Sequence, residues 1–203
     1  MARLQLVFKP SDFPPSDYPG TPDASTRQAV QDLFNHMFPG NANPEIPGKS
    51  AAFATVARDP KLAMRLIQLS DYIVREMPWT SQQKAVKELA VQTLNVHFKC
   101  HFSFQSHMRG AEAAGISMEQ QACIPFWKTA NVFDDEQRLV IEYTFAVCSG
   151  EVSDELFKRV VKQYGEQGAL EFTMAISWWS LWAMIINATG TEHDFGYGKK
   201  KSA

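Results

Sequence analysis

Proline placement constrains this chain more than any other feature, because eight of its eleven prolines lie within the first fifty residues. Each one removes a backbone donor and blocks the preceding helical turn. Residues 1–50 are therefore expected to form an extended proline-rich arm, interrupted at Phe13-Pro14-Pro15 and Tyr18-Pro19-Gly20. One short helix fits within it, from Ser25 to Phe38. Ser25 or Thr26 would cap its start, and Pro39-Gly40 would stop it. Residues 51–190 are expected to be one helical domain, and 191–203 a flexible C-terminal tail.

Beyond the arm the apolar spacing is helical. Leu62, Leu66, Leu69 and Ile73 recur at three and four residues and stop at Met77-Pro78, which marks an amphipathic helix. Thr80 is a candidate N-cap for the next segment, which runs through Ala85, Leu89 and Val96 past Cys100 to Ala114. Gly115 suits a left-handed C-terminal turn there. Ser117 opens another helix, with Gln120 placed for a capping box. Further helices are predicted over Asp134 to Cys148, Ser153 to Tyr164 and Leu170 to Ala188. No segment sustains the period-two alternation of strands, so an all-α fold is predicted.

Composition removes several function classes. Apolar residues at 45% and 14 phenylalanines indicate a packed globule. A formal charge of -2 lacks the Lys and Arg excess that neutralising phosphates requires, so no nucleic-acid partner is expected. Lys199-Lys200-Lys201 reads as a solubilising end. The residues from Phe172 to Thr191 carry no charge and include Trp178, Trp179 and Trp182. Their Ser, Thr and Asn content and central tryptophans favour a core or subunit-interface helix over a membrane span. The N-terminus holds no apolar run of secretory length. Three cysteines, Cys100, Cys123 and Cys148, offer no CxxC pair, and a reducing, cytoplasmic setting fits them.

Chemistry concentrates around Cys100. His97, His101 and His107 fall within eleven residues beside it. On a helix Cys100, Ser103 and His107 share a face. Glu88 would stand about 120° away if the helix were continuous. Convergence of Glu88 with the others therefore requires a break, expected between Asn95 and Lys99, where modest helix formers cluster. A helix restarting near Cys100 would put the thiol at an N-terminus, where amides and dipole lower its pKa. His97 and His101 lie four apart, but no third ligand in an HExxH-like pattern accompanies them, so no metal is expected.

The stretch Lys87-Glu88-Leu89-Ala90, then Cys100, Ser103 and His107, then Ala111 and Gly115-Ile116-Ser117 resembles the carboxymuconolactone decarboxylase and alkylhydroperoxidase-D-like (AhpD-like) family. The resemblance is strong over Trp79 to Met118 and weaker from Asp134 to Ala188. It implies an AhpD-like helical bundle and a homo-oligomer, a trimer or hexamer. The family's peroxidase branch uses two cysteines in turn, and Ser103 stands where the second would be. The decarboxylase branch needs no cofactor and implies a pocket where a histidine acts as acid or base on a lactone or enolisable acid.

His107 suits that role because imidazole titrates near neutrality and a carboxylate such as Glu88 can fix its tautomer. The expected catalytic set is His107, Glu88 and Cys100, supported by Ser103 and His101. Trp178 and Trp182 are candidates for a substrate-facing wall. Two other readings stand beside this lyase: a thiol-dependent peroxidase using Cys100, and a non-catalytic helical oligomer that binds an apolar ligand or a partner protein.

Overall fold

In the computed structural model, which describes residues 2–14 and 24–197, the described residues form nine α-helices and no strand. The chain is all-α. The Tyr18-Pro19-Gly20 turn and the Lys199-Lys200-Lys201 end lie outside the described residues. Two compact units divide the chain: residues 1–70 with 186–203, and residues 71–185. The divisions expected after residues 50 and 190 do not coincide with these.

The first unit holds α1 (Ala24–Met37), α2 (Ala51–Val56) and nearly all of α3 (Pro60–Asp71). Its N-terminal segment is irregular but anchored. The Val7 amide donates to the Ala54 carbonyl at 2.9 Å, and the Ile46 amide to the Phe8 carbonyl at 2.8 Å. Val7, Leu33, Phe34, Ile46 and Ala54 supply its interior. The Arg3 amide donates to Thr189, and the Thr55 and Thr191 hydroxyls bond at 2.7 Å, so residues 189–191 are tied to this unit. In α3 the spacing marks a leucine face, yet Leu62 and Leu69 are exposed, while Ala63 and Ile67 turn inward. Periodicity locates a stripe; packing chooses which side faces the interior.

The second unit begins with a π-helical turn, Tyr72–Glu76, followed by α4 (Pro78–Gln82). Thr80 is not the cap its sequence position suggests. It is buried, and its hydroxyl donates to the carbonyl of Ile73, which Pro78 leaves without an amide donor, and to that of Met77, which also accepts from the Ser81 amide at 3.1 Å. The next helix, α5, starts at Lys84 and runs to His97. From Glu88 to Asn95 every residue of α5 is buried, which makes it the central helix of the unit.

Around α5 lie α6 (His101–Ala113), α7 (Met118–Cys123), α8 (Asp135–Ser149) and the greater part of α9 (Asp154–Thr189). Reciprocal capping boxes start α7 at Ser117 with Gln120, and α8 at Asp134 with Gln137. Gly115, at φ 103°, turns the chain out of α6 in the region that side chains disfavour. Within α9, Gly165 takes φ 73° and ψ 171° and interrupts the helix between the two segments that the sequence separates. By length and composition α9 alone among the described helices is apolar enough to cross a membrane, but 61% of its most apolar stretch is buried within the fold.

Candidate functional site

Two helices and one strained turn assemble the site. Lys99 adopts φ 52°, a left-handed conformation unusual for a residue with a Cβ, and so ends α5 and reverses the chain. The Cys100 amide closes the turn by donating to the Asn95 carbonyl at 2.9 Å. Cys100 is then the N-cap of α6. The break lies where the sequence places it. Running back antiparallel to α5, α6 sets Phe104 beside Gln92 and His107 beside Glu88, since the Gln92 side-chain amide donates to the Phe104 carbonyl at 3.1 Å.

His107 Nδ1 and Glu88 Oε2 are 2.9 Å apart. The other carboxylate oxygen, Oε1, pairs with Lys87 Nζ at 2.7 Å. Burial by itself pushes the Glu88 carboxyl up, but the imidazole and the Lys87 ammonium outweigh it and hold the pKa down to about 2. An ionised carboxylate only accepts, so the imidazole must donate from Nδ1–H. Nε2 is left as the atom able to take or give a proton. The His107 side chain is 26% exposed.

Trp179 borders this triad. Its ring meets His107 edge-on at 6.4 Å, and Lys87 Nζ lies 5.8 Å from its centroid. Trp178 and Trp182, the two candidates for the pocket wall, are buried and pack edge-to-face against each other at 5.8 Å. Neither shares a ring contact with His107. A second buried polar group lies behind the pair. Gln92 donates to Gln121 at 2.8 Å and accepts from Asn95 at 3.3 Å, which links α5 to α7, and Asn95 Oδ1 is buried without a partner.

None of the remaining candidates hydrogen-bonds to Glu88 or to the His107 ring. Cys100 is buried, and burial pushes its thiol up; the Ser103 amide acts in the opposite sense without reversing it. The expectation of a lowered thiol pKa at this helix start is therefore corrected, because desolvation outweighs the helix end. Ser103 is buried, and its carbonyl accepts from the Ser106 hydroxyl. His101 is exposed on the first turn of α6, and His97 packs against Phe98 and Phe145. Among the described residues no group of three or more His, Cys, Asp or Glu side chains is arranged to hold a metal ion.

Lys87, Gln92, Asn95 and Gln121 are the residues that sequence reasoning did not assign to the site, whereas Trp179 belongs to the tryptophan cluster that it singles out. One signal was present: Glu88, Gln92 and Asn95 recur at four and three residues within an otherwise apolar run, a polar stripe on a helix too apolar to be surface. The state of Cys100 leads to an expected result. Iodoacetamide should alkylate half-buried Cys123 before Cys100, and peptide mapping by mass spectrometry reads the order. Cys100 reacting first would mean that the thiol is accessible and activated after all. No protein-family model, curated protein or solved structure matches the chain.

Proposed function

We propose that the chain is a cofactor-independent acid–base enzyme of the carboxymuconolactone decarboxylase-like, AhpD-like kind, acting on a small lactone or enolisable acid. One observation carries the reading: the Glu88–His107 contact at 2.9 Å, which leaves Nε2 as the proton-exchanging atom beside a lysine and an indole ring. In a decarboxylation the carbon–carbon bond to the carboxylate breaks and carbon dioxide leaves. Its electron pair enters a conjugated enolate, and the imidazolium form of His107, which has taken a proton from solvent at Nε2, delivers that proton to carbon and reverts to the neutral Nδ1–H ring. Glu88 fixes the ring and stabilises the imidazolium before the transfer. Lys87 supplies the positive charge that an anionic substrate and a developing enolate both favour. In an isomerisation the same nitrogen removes a proton and replaces it elsewhere.

The buried, poorly acidic Cys100 and the hydroxyl at Ser103 weigh against the peroxidase reading. Screening lactones, β-keto acids and vinylogous acids for carbon dioxide release or isomerisation tests the proposal. Consumption of peroxide with a dithiol, and no turnover of any acid or lactone, would overturn it. A reducing, cytoplasmic setting accords with three free cysteines.

The reading includes a homo-oligomer, a trimer or hexamer. Leu170, Met174 and Met184 are exposed at 62%, 43% and 53%, and with Ser177 they form a stripe on the side of α9 opposite Trp179. Such a stripe spans an uncharged helix face of the sort subunits cover. Leu170→Glu with Met184→Glu is expected to yield monomers of 22.9 kDa, leaving the distant Glu88–His107 pair intact. Light scattering reads the mass, and a wild-type monomer would remove this part of the proposal.

A further inference from the structure

A cleft in the second unit, separate from the His107 contacts, has the character of a ligand site. It lies between α4 and the part of α9 that flanks Gly165, and encloses about 450 Å³. The break at Gly165 creates it, because Gln163 and Tyr164 before the break and Gln167 and Gly168 after it face one space. We propose that this cleft binds a small neutral polyhydroxylated molecule of the carbohydrate type.

The donor set selects that chemistry. Gln82, Gln83, Gln163 and Gln167 line the cleft, and no lysine or arginine does. Primary amides donate and accept in alternation, as hydroxyl groups do. An anion would find no cation, and would meet the Glu171 carboxylate together with Glu136, which holds the Tyr164 hydroxyl at 3.0 Å. A cation would find the Glu171 lone pairs in use, since its oxygens already accept from the Trp79 amide at 2.8 Å and from Gln167 at 2.7 Å, and the cadaverine control decides between a cation and a polyol. Gln163 and Gln167 already donate to Glu136 and Glu171 at 3.0 and 2.7 Å, and an apolar ligand would strip water from the remaining amide groups without replacing their hydrogen bonds.

A second, independent observation points to a missing acceptor. Trp79 is 4% exposed, and its indole Nε1–H is buried with no hydrogen-bond partner. The ring cannot turn to find one, because Phe172 stacks on it at 4.3 Å and Tyr164 meets it edge-on at 5.9 Å. Its Cδ1, the atom bonded to Nε1, lies 3.8 Å from where a Cβ on Gly168 would stand, and Gly168 lines the cleft. The orphaned donor thus belongs to a ring that lines the cleft and is fixed in place by its neighbours. A ligand hydroxyl oxygen that enters between the ring and the cleft lining would satisfy it.

Ligand-observed saturation-transfer NMR and calorimetry on the full chain test the proposal, with D-glucose, D-xylose and myo-inositol as probes and inorganic phosphate, cadaverine and hexanoate as controls. At least one polyol is expected to bind saturably, and none of the controls. Trp79→Phe keeps the ring stack and removes the donor, so it should weaken binding about tenfold, as the loss of one buried hydrogen bond does. Gln163→Met with Gln167→Met changes only exposed side chains and should abolish the signal, which keeps the test decisive if Trp79→Phe folds poorly. Absence of polyol binding, binding of a control instead, or binding untouched by the glutamine substitutions would overturn the proposal.

Discussion

Replacing His107 by alanine is expected to lower turnover of the responsive acid or lactone by about 10²- to 10⁴-fold, the usual loss when a positioned proton carrier is removed. The fold should survive, because the imidazole is partly exposed and makes its one hydrogen bond at the edge of the interior. Cys100→Ser is the informative companion. The thiol is buried and raised in pKa, so a hydroxyl of similar size should leave most of the activity. A thiol nucleophile would behave in the opposite way, since serine cannot supply the anion. Steady-state kinetics of the two variants, with circular dichroism as the fold control, separate the lyase from the peroxidase. Loss in both, together with peroxide consumption by the wild type, would replace the lyase with the peroxidase.

Glu88→Gln should produce the largest change in stability, and one with a defined pH dependence. The carboxyl sits at about 2 in the folded chain against an ordinary 4.5, and at about 1.4 kcal/mol per unit this favours folding by about 3 kcal/mol at neutral pH, as an upper figure. Because the folded pKa is the lower one, the contribution is complete above 4.5 and is lost as pH falls toward 2. The variant also leaves Lys87 without its buried anion. A Tm deficit of roughly 6–12 °C is expected at pH 7 for a chain of this size. It should narrow between pH 4.5 and pH 3. A deficit that stays constant over that range would show that the carboxylate's charge contributes nothing.

Local signals carried much of this structure into the sequence. The Ser117–Gln120 box, the turn at Gly115 and the break before Cys100 depend on a few adjacent residues, and those were readable. Features settled by packing were not. The leucines of α3 define a face, yet only tertiary contacts decide that Ala63 and Ile67 point inward. Trp178 and Trp182, four apart, find each other, and Trp179, about 100° around the helix, is the one that reaches His107. Thr80 looked like a cap because the π turn before it leaves no sequence mark, and that turn supplies its Ile73 carbonyl partner. The Cys100 thiol shows the same limit in electrostatic form. The helix start was legible, but the burial that reverses its effect on the pKa was not.

The most direct test of the site concerns a single proton. If ionised Glu88 accepts from His107, the neutral imidazole must carry hydrogen on Nδ1 and leave Nε2 bare. Long-range ¹H–¹⁵N correlation spectra of imidazole-labelled protein distinguish the two tautomers, and a His107→Gln sample assigns the signal. The account requires a protonated Nδ1 and an unprotonated Nε2 for the neutral His107 ring. A neutral ring with its proton on Nε2 would contradict it, because Nδ1 would then have no hydrogen to give the Glu88 carboxylate.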